Sequence, residues 1–171
     1  MFQKFYPDLY VSSTYEIDFD RLYRSGYRGL IFDIDNTLVT HGAPANDQAK
    51  QLFAHLHEIG FATCLISNNQ EPRVKPFADA VHSLYIYDAH KPSTKNYEKA
   101  MEQMHTEKGN TVFIGDQMFT DVFGANRTGI PSIMVKKSTG RRNPDCLKRR
   151  LEAIVLIGYR RYRKTHKSIL E

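Results

Sequence analysis

Asp33 and Asp35 stand one residue apart at the end of the apolar run Gly29-Leu30-Ile31-Phe32. Such a run reads as a buried strand, and on a strand positions 33 and 35 share a face. Burying a carboxylate is costly unless it is paired, hydrogen-bonded or bound to a metal. A lone Asp-x-Asp-Asn also fits a polar turn, because Asp and Asn are turn formers. Three further stretches argue against the turn. Ser67-Asn68-Asn69 follows a second apolar run, Lys91-Pro92 a third, and Gly115-Asp116, with Asp121 beyond it, a fourth. Two pairs of carboxylates, a hydroxyl flanked by amides and a lysine suit phosphoryl transfer assisted by a hard cation. Mg²⁺ prefers oxygen ligands, and a carboxylate can attack phosphorus as a covalent nucleophile. Ser67 and nearby backbone N–H groups can hold phosphate oxygens, and Lys91 supplies fixed positive charge.

These residues work together only if the chain brings them to one place. Strands are predicted at residues 30–34, 62–67, 84–87, 111–114 and 132–135, and helices at 47–59, 71–80, 94–106, 120–128 and 144–162. The first of these helices has Ala49, Leu52, Phe53, Leu56 and Ile59 at helical spacing, with Gly60 as its stop. Pro76 should shorten or bend the second. Short apolar strands alternating with helices indicate βαβ units and a parallel sheet. Right-handed crossovers put helices on both faces. The expected fold is therefore α/β, a parallel, Rossmann-like three-layer sandwich. Every strand of such a sheet ends at the same edge, where ligands bind.

Taken jointly, these stretches resemble the haloacid dehalogenase-like phosphatases. Asp33-Ile34-Asp35-Asn36-Thr37 resembles the first motif of that superfamily, Ser67 the second, Lys91 the third, and Gly115-Asp116 with Asp121 the fourth. The resemblance covers roughly residues 29–136. Lys91-Pro92, Gly115-Asp116-Gln117 and the stretch Gly124-Ala125-Asn126-Arg127-Thr128-Gly129 narrow it further, to the bacterial YqeG family of subclass IIIA. That family is similar to mitochondrial phosphatidylglycerophosphate phosphatases, and Pro7-Asp8 and Ile17 of this chain resemble it too. The resemblance implies that Asp33 is the nucleophile and Asp35 the general acid and base. Mg²⁺ would be held by Asp33, the Asp35 backbone carbonyl and Asp116. Ser67 would bind the phosphoryl group and Lys91 would orient Asp33. Asp121 would stand behind the metal ligands or reach the ion through water. Asn68, from its position alone, is added as a phosphate or substrate contact. Cap domains insert in this superfamily near two places that are short here, 38–47 and 87–91. A capless, open cleft follows, suited to a bulky or membrane-embedded phosphoester.

With 171 residues the chain is long enough for one domain with a real core. Residues 1–28 read as an aromatic arm, 29–136 as the catalytic core and 137–171 as a basic helical tail. The arm carries Phe2, Phe5, Tyr6, Tyr10, Tyr15, Phe19, Tyr23 and Tyr27, too many aromatics to leave in water, so it should pack over the sheet edge. Two cysteines without metal spacing, and an N-terminus lacking an apolar stretch, fit a cytoplasmic protein. From Lys136 to Lys167 there are 12 Lys/Arg against Asp145 and Glu152, a balance of +10 within a chain of net +5. In the tail, Pro144 reads as a first helical residue and Leu147, Leu151, Ile154, Val155, Gly158 and Tyr162 as one stripe, packed on the sheet. Leu156 and Ile157 fall off that stripe. A second face could serve a homodimer or an anionic membrane surface, with nucleic acid behind these because no nucleic-acid fold signature is present. The competing function is thus an anion-binding interaction module for RNA or membrane, with the phosphatase site secondary.

Overall fold

The computed structural model describes residues 2–136, 146–167 and 169. Six parallel strands form one sheet in the order β1-β6-β5-β2-β3-β4. They are β1 (Leu9–Val11), β2 (Gly29–Phe32), β3 (Ala62–Ile66), β4 (Leu84–Ile86), β5 (Thr111–Gly115) and β6 (Ser132–Val135). The helices are α1 (Phe19–Arg24), α2 (Asp47–Ile59), α3 (Glu71–Val81), α4 (Lys95–Met104), α5 (Phe123–Thr128) and α6 (Cys146–Arg163).

The central strands are largely apolar because both faces are covered. Leu30, Phe32, Leu65, Val112 and Ile114 point to one face, where they meet Phe53 and Leu56 of α2 and Val74 and Phe77 of α3. Ile31, Cys64, Ile66 and Phe113 alternate to the other, against Tyr97, Ala100 and Met101 of α4 and Ala125 of α5. This two-residue alternation makes three layers from short strands. Helix α2 runs from an Asn46 cap, whose Oδ1 accepts the Ala49 N–H, to Gly60 at φ 112°. Pro76 lies inside α3, which still runs on to Val81.

Two features depart from the sequence reading. The arm covers the sheet edge and also extends it: Leu9–Val11 pairs with β6 in the register Leu9 to Ile133 and Val11 to Val135. Helix α5 is shorter than the predicted 120–128, because Met118–Val122 forms a π-helical turn before it. In that turn the N–H groups of Asp121 and Val122 both donate to the Gln117 carbonyl, at 2.9 and 3.2 Å.

The predicted stripe of the tail is also corrected. Among the described residues of α6, Val155 and Tyr159 are buried; Val155, joined by partly buried Leu156, packs on Met118, Val122 and Met134 with Phe5 and Tyr6 of the arm, and Tyr159 meets Tyr6. Leu151, Ile154 and Ile157 point outward, at 43%, 54% and 56% exposure. The helix is rotated because the arm supplies its docking surface: Tyr6 meets both Tyr159 and Tyr162. A Cβ at Gly158 would run into the Tyr6 hydroxyl, so glycine permits the approach. Pro144 and the Leu147 side chain lie outside the described residues.

Candidate active site

The chain runs outward from β2 through β3 to β4, then crosses back to β5 on the far side of β2. The connections therefore diverge between β2 and β5, which is where open α/β sheets hold their ligands. Asp33 follows β2 and Asp116 follows β5, so these two carboxylates flank that crevice. The Asp33 N–H still donates to the Ile114 carbonyl at 2.9 Å, the last rung of the ladder, which fixes the backbone beneath the carboxylate.

Lys91 arrives from the loop after β4. Its Nζ lies 2.6 Å from Asp33 Oδ1 and 2.7 Å from Asp121 Oδ1, with all three side chains buried. Burial works against the lysine charge, yet Asp121 and Asp33 together hold the ammonium above the ordinary lysine range. Burial, reinforced by Asp121 and Asp35 and opposed by Lys91, pushes the Asp33 carboxyl up to about 6. The Lys91 backbone is clamped by Asn68, whose Oδ1 accepts the Lys91 N–H at 2.7 Å and whose Nδ2 donates to the Lys91 carbonyl at 3.4 Å. Asp88 and His90 of the same loop hold left-handed φ values of 45° and 49°. Such strain persists only where the surroundings enforce it.

Asp33, Asp116 and Asp121 each offer a carboxylate oxygen within 4.8 Å of the others. The donors are all hard oxygens, and this set fits a divalent cation such as Mg²⁺. Gly115 makes room for the Asp121 carboxylate, since a Cβ there would lie 2.5 Å from Asp121 Oδ2. That oxygen also accepts the Gln117 N–H at 3.0 Å.

Ser67 is buried at the end of β3, its Oγ accepting from the Asn69 N–H and Nδ2, both at 3.1 Å. Asp35 sits apart from the carboxylate triad. Its Oδ1 accepts from Arg73 and from the Gly42 N–H, both at 2.8 Å, and its Oδ2 accepts from Asn69 Nδ2 at 2.7 Å. Burial opposes the Asp35 charge, but Arg73, the Gly42 N–H and His41 outweigh it and hold the carboxyl below the usual carboxylate range.

The structure thus brings Lys91 into contact with Asp33 and Asp121, sets Asp116 within 4.8 Å of both carboxylates, and joins Asp35 and Ser67 through Asn69. Asn68 meets the Lys91 backbone. Several participants were absent from the sequence reading. Arg73 had a signal: it lies in the first turn of α3, where a cation opposes the helix dipole. Thr14 and Tyr15 of the arm had none. Their hydroxyls donate at 2.6 Å to the carbonyls of Thr37 and Leu38, in the loop behind Asp33. Thr37 in turn reaches Asp33 Oδ2 at 3.5 Å.

Comparison with known proteins gives the class first. The family model described as HAD-hydrolase-like matches residues 89–157. The crystal structure of a HAD phosphatase from Thermococcus onnurineus shares the fold, with a TM-score of 0.51 at 15% identity, over 75% of this chain and 97% of that one. The protein named "Probable phosphatase YqeG" from Bacillus subtilis (strain 168) is 38% identical over 137 residues, covering 79% of this chain and 80% of that protein. The chain belongs to the YqeG family, within the HAD-like hydrolases. A more distant relative is "Phosphatidylglycerophosphate phosphatase 1, chloroplastic/mitochondrial" from Arabidopsis thaliana, 22% identical over 88% of this chain and 47% of its own length.

Proposed function

We propose that the chain is a Mg²⁺-dependent phosphomonoester hydrolase that works through an aspartyl-phosphate on Asp33. The observation that carries this reading is the buried Lys91 ammonium, 2.6 Å from Asp33 and 2.7 Å from Asp121, beside a third buried carboxylate. A lysine so placed keeps Asp33 ionised and fixed in direction, as a nucleophile requires.

In the first step an Asp33 oxygen bonds to phosphorus as the ester P–O bond breaks, and Asp35 protonates the departing oxygen, a role that requires it to take up a proton against the Arg73 pairing that favours its ionised form. In the second, Asp35 takes a proton from water, the water oxygen bonds to phosphorus, and the acyl-phosphate bond breaks to restore Asp33. Ser67 and the adjacent backbone N–H groups hold phosphoryl oxygens. Asp33, Asp116 and the Asp35 carbonyl would hold Mg²⁺, with Asp121 behind them; the ion supplies charge neutralisation for the phosphoryl oxygens. Asn68 acts through Lys91, whose backbone it clamps, and through any substrate that reaches it.

Residues 33–46 and 87–94 connect strand to helix without an inserted domain, and this open cleft supports a bulky substrate. The α6 surface supports a lipidic one. Exposed Leu151, Ile154 and Ile157 lie on the same helix as exposed Arg150, Arg160 and Arg161, a combination suited to an anionic membrane surface. No helix of the described residues is long and apolar enough to cross a membrane. The proposed setting is cytoplasmic with peripheral membrane contact, and the proposed substrate class is a phosphorylated lipid headgroup of the phosphatidylglycerophosphate kind. The competing reading, an interaction module acting on RNA or membrane, accounts for the exposed arginines but leaves the buried Lys91 cluster without a purpose. A phosphate-release screen over phospholipid, nucleotide, sugar and phosphopeptide esters tests the proposal. Wild type is compared with Asp33→Asn, each with Mg²⁺ and with EDTA. Release by wild type alone, and only with metal, supports it; equal release by the variant overturns it.

A further inference from the structure

A cavity of about 510 Å³ opens at the other margin of the sheet, beside the starts of β1 and β6 rather than the ends of β2 and β5. Its volume lies in the range of small-molecule sites, about 300–1,000 Å³. Three separate segments wall it: the arm, the end of α5 with the turn into β6, and the end of α6. Asn126 ties the first two together, its Nδ2 donating to the carbonyls of Lys4 and Tyr6, both at 3.0 Å.

Each wall contributes positive charge: Lys4 from the arm, Arg127 from α5, Arg163 from the end of α6 and Lys167 from the segment just beyond it. Asp8 is the one acidic residue of the lining among the described residues. It is already engaged, because its Oδ2 accepts the Ser132 N–H at 2.8 Å, and burial, opposed in part by that bond and by Arg163, holds its carboxyl above the usual carboxylate range. Lys4, Arg127 and Lys167 make no ion pair among the described residues. Two of them crowd one aromatic ring: Lys4 Nζ and the Arg127 guanidinium each lie 5.5 Å from the Phe123 centroid. The ring attracts each cation, and a bound anion offsets the positive charge that both bring to the cavity. Arg127 makes one long hydrogen bond, 3.3 Å to the Pro92 carbonyl, which leaves most of its donors for a ligand. The phosphoryl chemistry proposed at Asp33 uses none of these residues.

We propose that this cavity is a second site, separate from the catalytic edge, for a small phosphorylated anion. Three cations without an ion pair among the described residues suit a phosphate group, whether monoester, diester or pyrophosphate, and arginine meets its oxygens in pairs. A soluble phosphate compound and the headgroup of a phospholipid share this chemistry.

The test is a backbone-amide NMR titration of the metal-free full chain with inorganic pyrophosphate and, separately, with glycerophosphoglycerol as the lipid-headgroup probe. The expected result is saturable shifts at Lys4, Tyr6, Gly129 and Lys167, distinct from any at Ser67 and Gly115. Tighter binding of pyrophosphate assigns the site to a free phosphate compound, and of glycerophosphoglycerol to a headgroup. Arg127 and Lys167 are exposed, so Arg127→Gln with Lys167→Gln should fold. That double variant should weaken binding in the cavity about tenfold while leaving shifts at Ser67 and Gly115 in place. No shift in the cavity with either probe at millimolar concentration, or cavity binding unchanged in the double variant, would overturn the proposal.

Discussion

Replacing Lys91 with methionine removes the buried ammonium that Asp33 and Asp121 share. Lys91 Nζ is 2.6 Å from Asp33 and 2.7 Å from Asp121, and the three side chains are 3%, 8% and 0% exposed. At an effective dielectric of about 20, each contact is worth about 6 kcal/mol of gross attraction. Desolvating each ion costs several kcal/mol, so the net contribution of the cluster is far smaller than that sum. Removing one partner is different, because it strands charge that stays buried, at about 3–5 kcal/mol. Lys91→Met should therefore lower the urea-unfolding free energy in EDTA by that amount, a large share of the roughly 5–15 kcal/mol available to a domain. Adding Asp121→Asn to Lys91→Met should restore part of the loss, since it removes one of the stranded charges. Mg²⁺ should restore part of it in the single variant for the same reason. Phosphate release should fall to background throughout. A loss below about 1 kcal/mol, the scale of an exposed pair, would refute the reasoning. So would a double variant less stable than the single one.

Asp33→Asn should stabilise the metal-free protein at neutral pH. Burial raises Asp33 from 3.8 to about 6, so the folded state binds its proton more tightly than the unfolded chain does. Folding then loses stability, on this group's account, as pH rises from about 4 to about 6. Urea unfolding in EDTA should show the variant gaining on wild type across that window, by on the order of 1–3 kcal/mol, and a gap that narrows with rising pH would contradict this. In the arm, Thr14→Val and Tyr15→Phe each remove a 2.6 Å donor to the loop behind Asp33. Turnover of a small soluble phosphoester should fall about tenfold with little change in KM, and an unchanged kcat would reduce both hydroxyls to packing. Neutralising Arg160, Arg161 and Lys164 should abolish salt-sensitive binding to anionic vesicles, each cation contributing about 1 kcal/mol, while turnover of a soluble ester persists. Vesicle co-sedimentation indifferent to these changes would dismiss the membrane face, and a parallel RNA titration would then show whether the charges serve nucleic acid.

The layers and the convergence of the motif residues on one sheet edge follow from local pattern. The central strands are largely apolar, and α2 carries both its cap and its stop. What escaped the sequence depends on distant contacts. Leu9–Val11 is too short to announce a strand and becomes one only because β6 is there to pair with it. The α6 stripe was misjudged because helical spacing gives a face but not a partner, and the partner is Tyr6, far earlier in the chain. The π-helical turn that carries Asp121 has no periodic signature of its own. Arg73 was legible in principle, as a cation placed against the dipole of α3. Thr14 and Tyr15 were not, because a hydroxyl reaching a carbonyl 23 residues away leaves no local trace.

The most direct test of the account is to trap the covalent intermediate. The protein is mixed with a phosphomonoester and Mg²⁺, quenched in acid during turnover, and reduced with borohydride, which converts an aspartyl-phosphate to homoserine. Peptide mass spectrometry should find homoserine at position 33 and leave Asp35, Asp116 and Asp121 unchanged. Steady turnover with no modification at residue 33, or modification at another carboxylate, would contradict the assignment of Asp33 as the nucleophile.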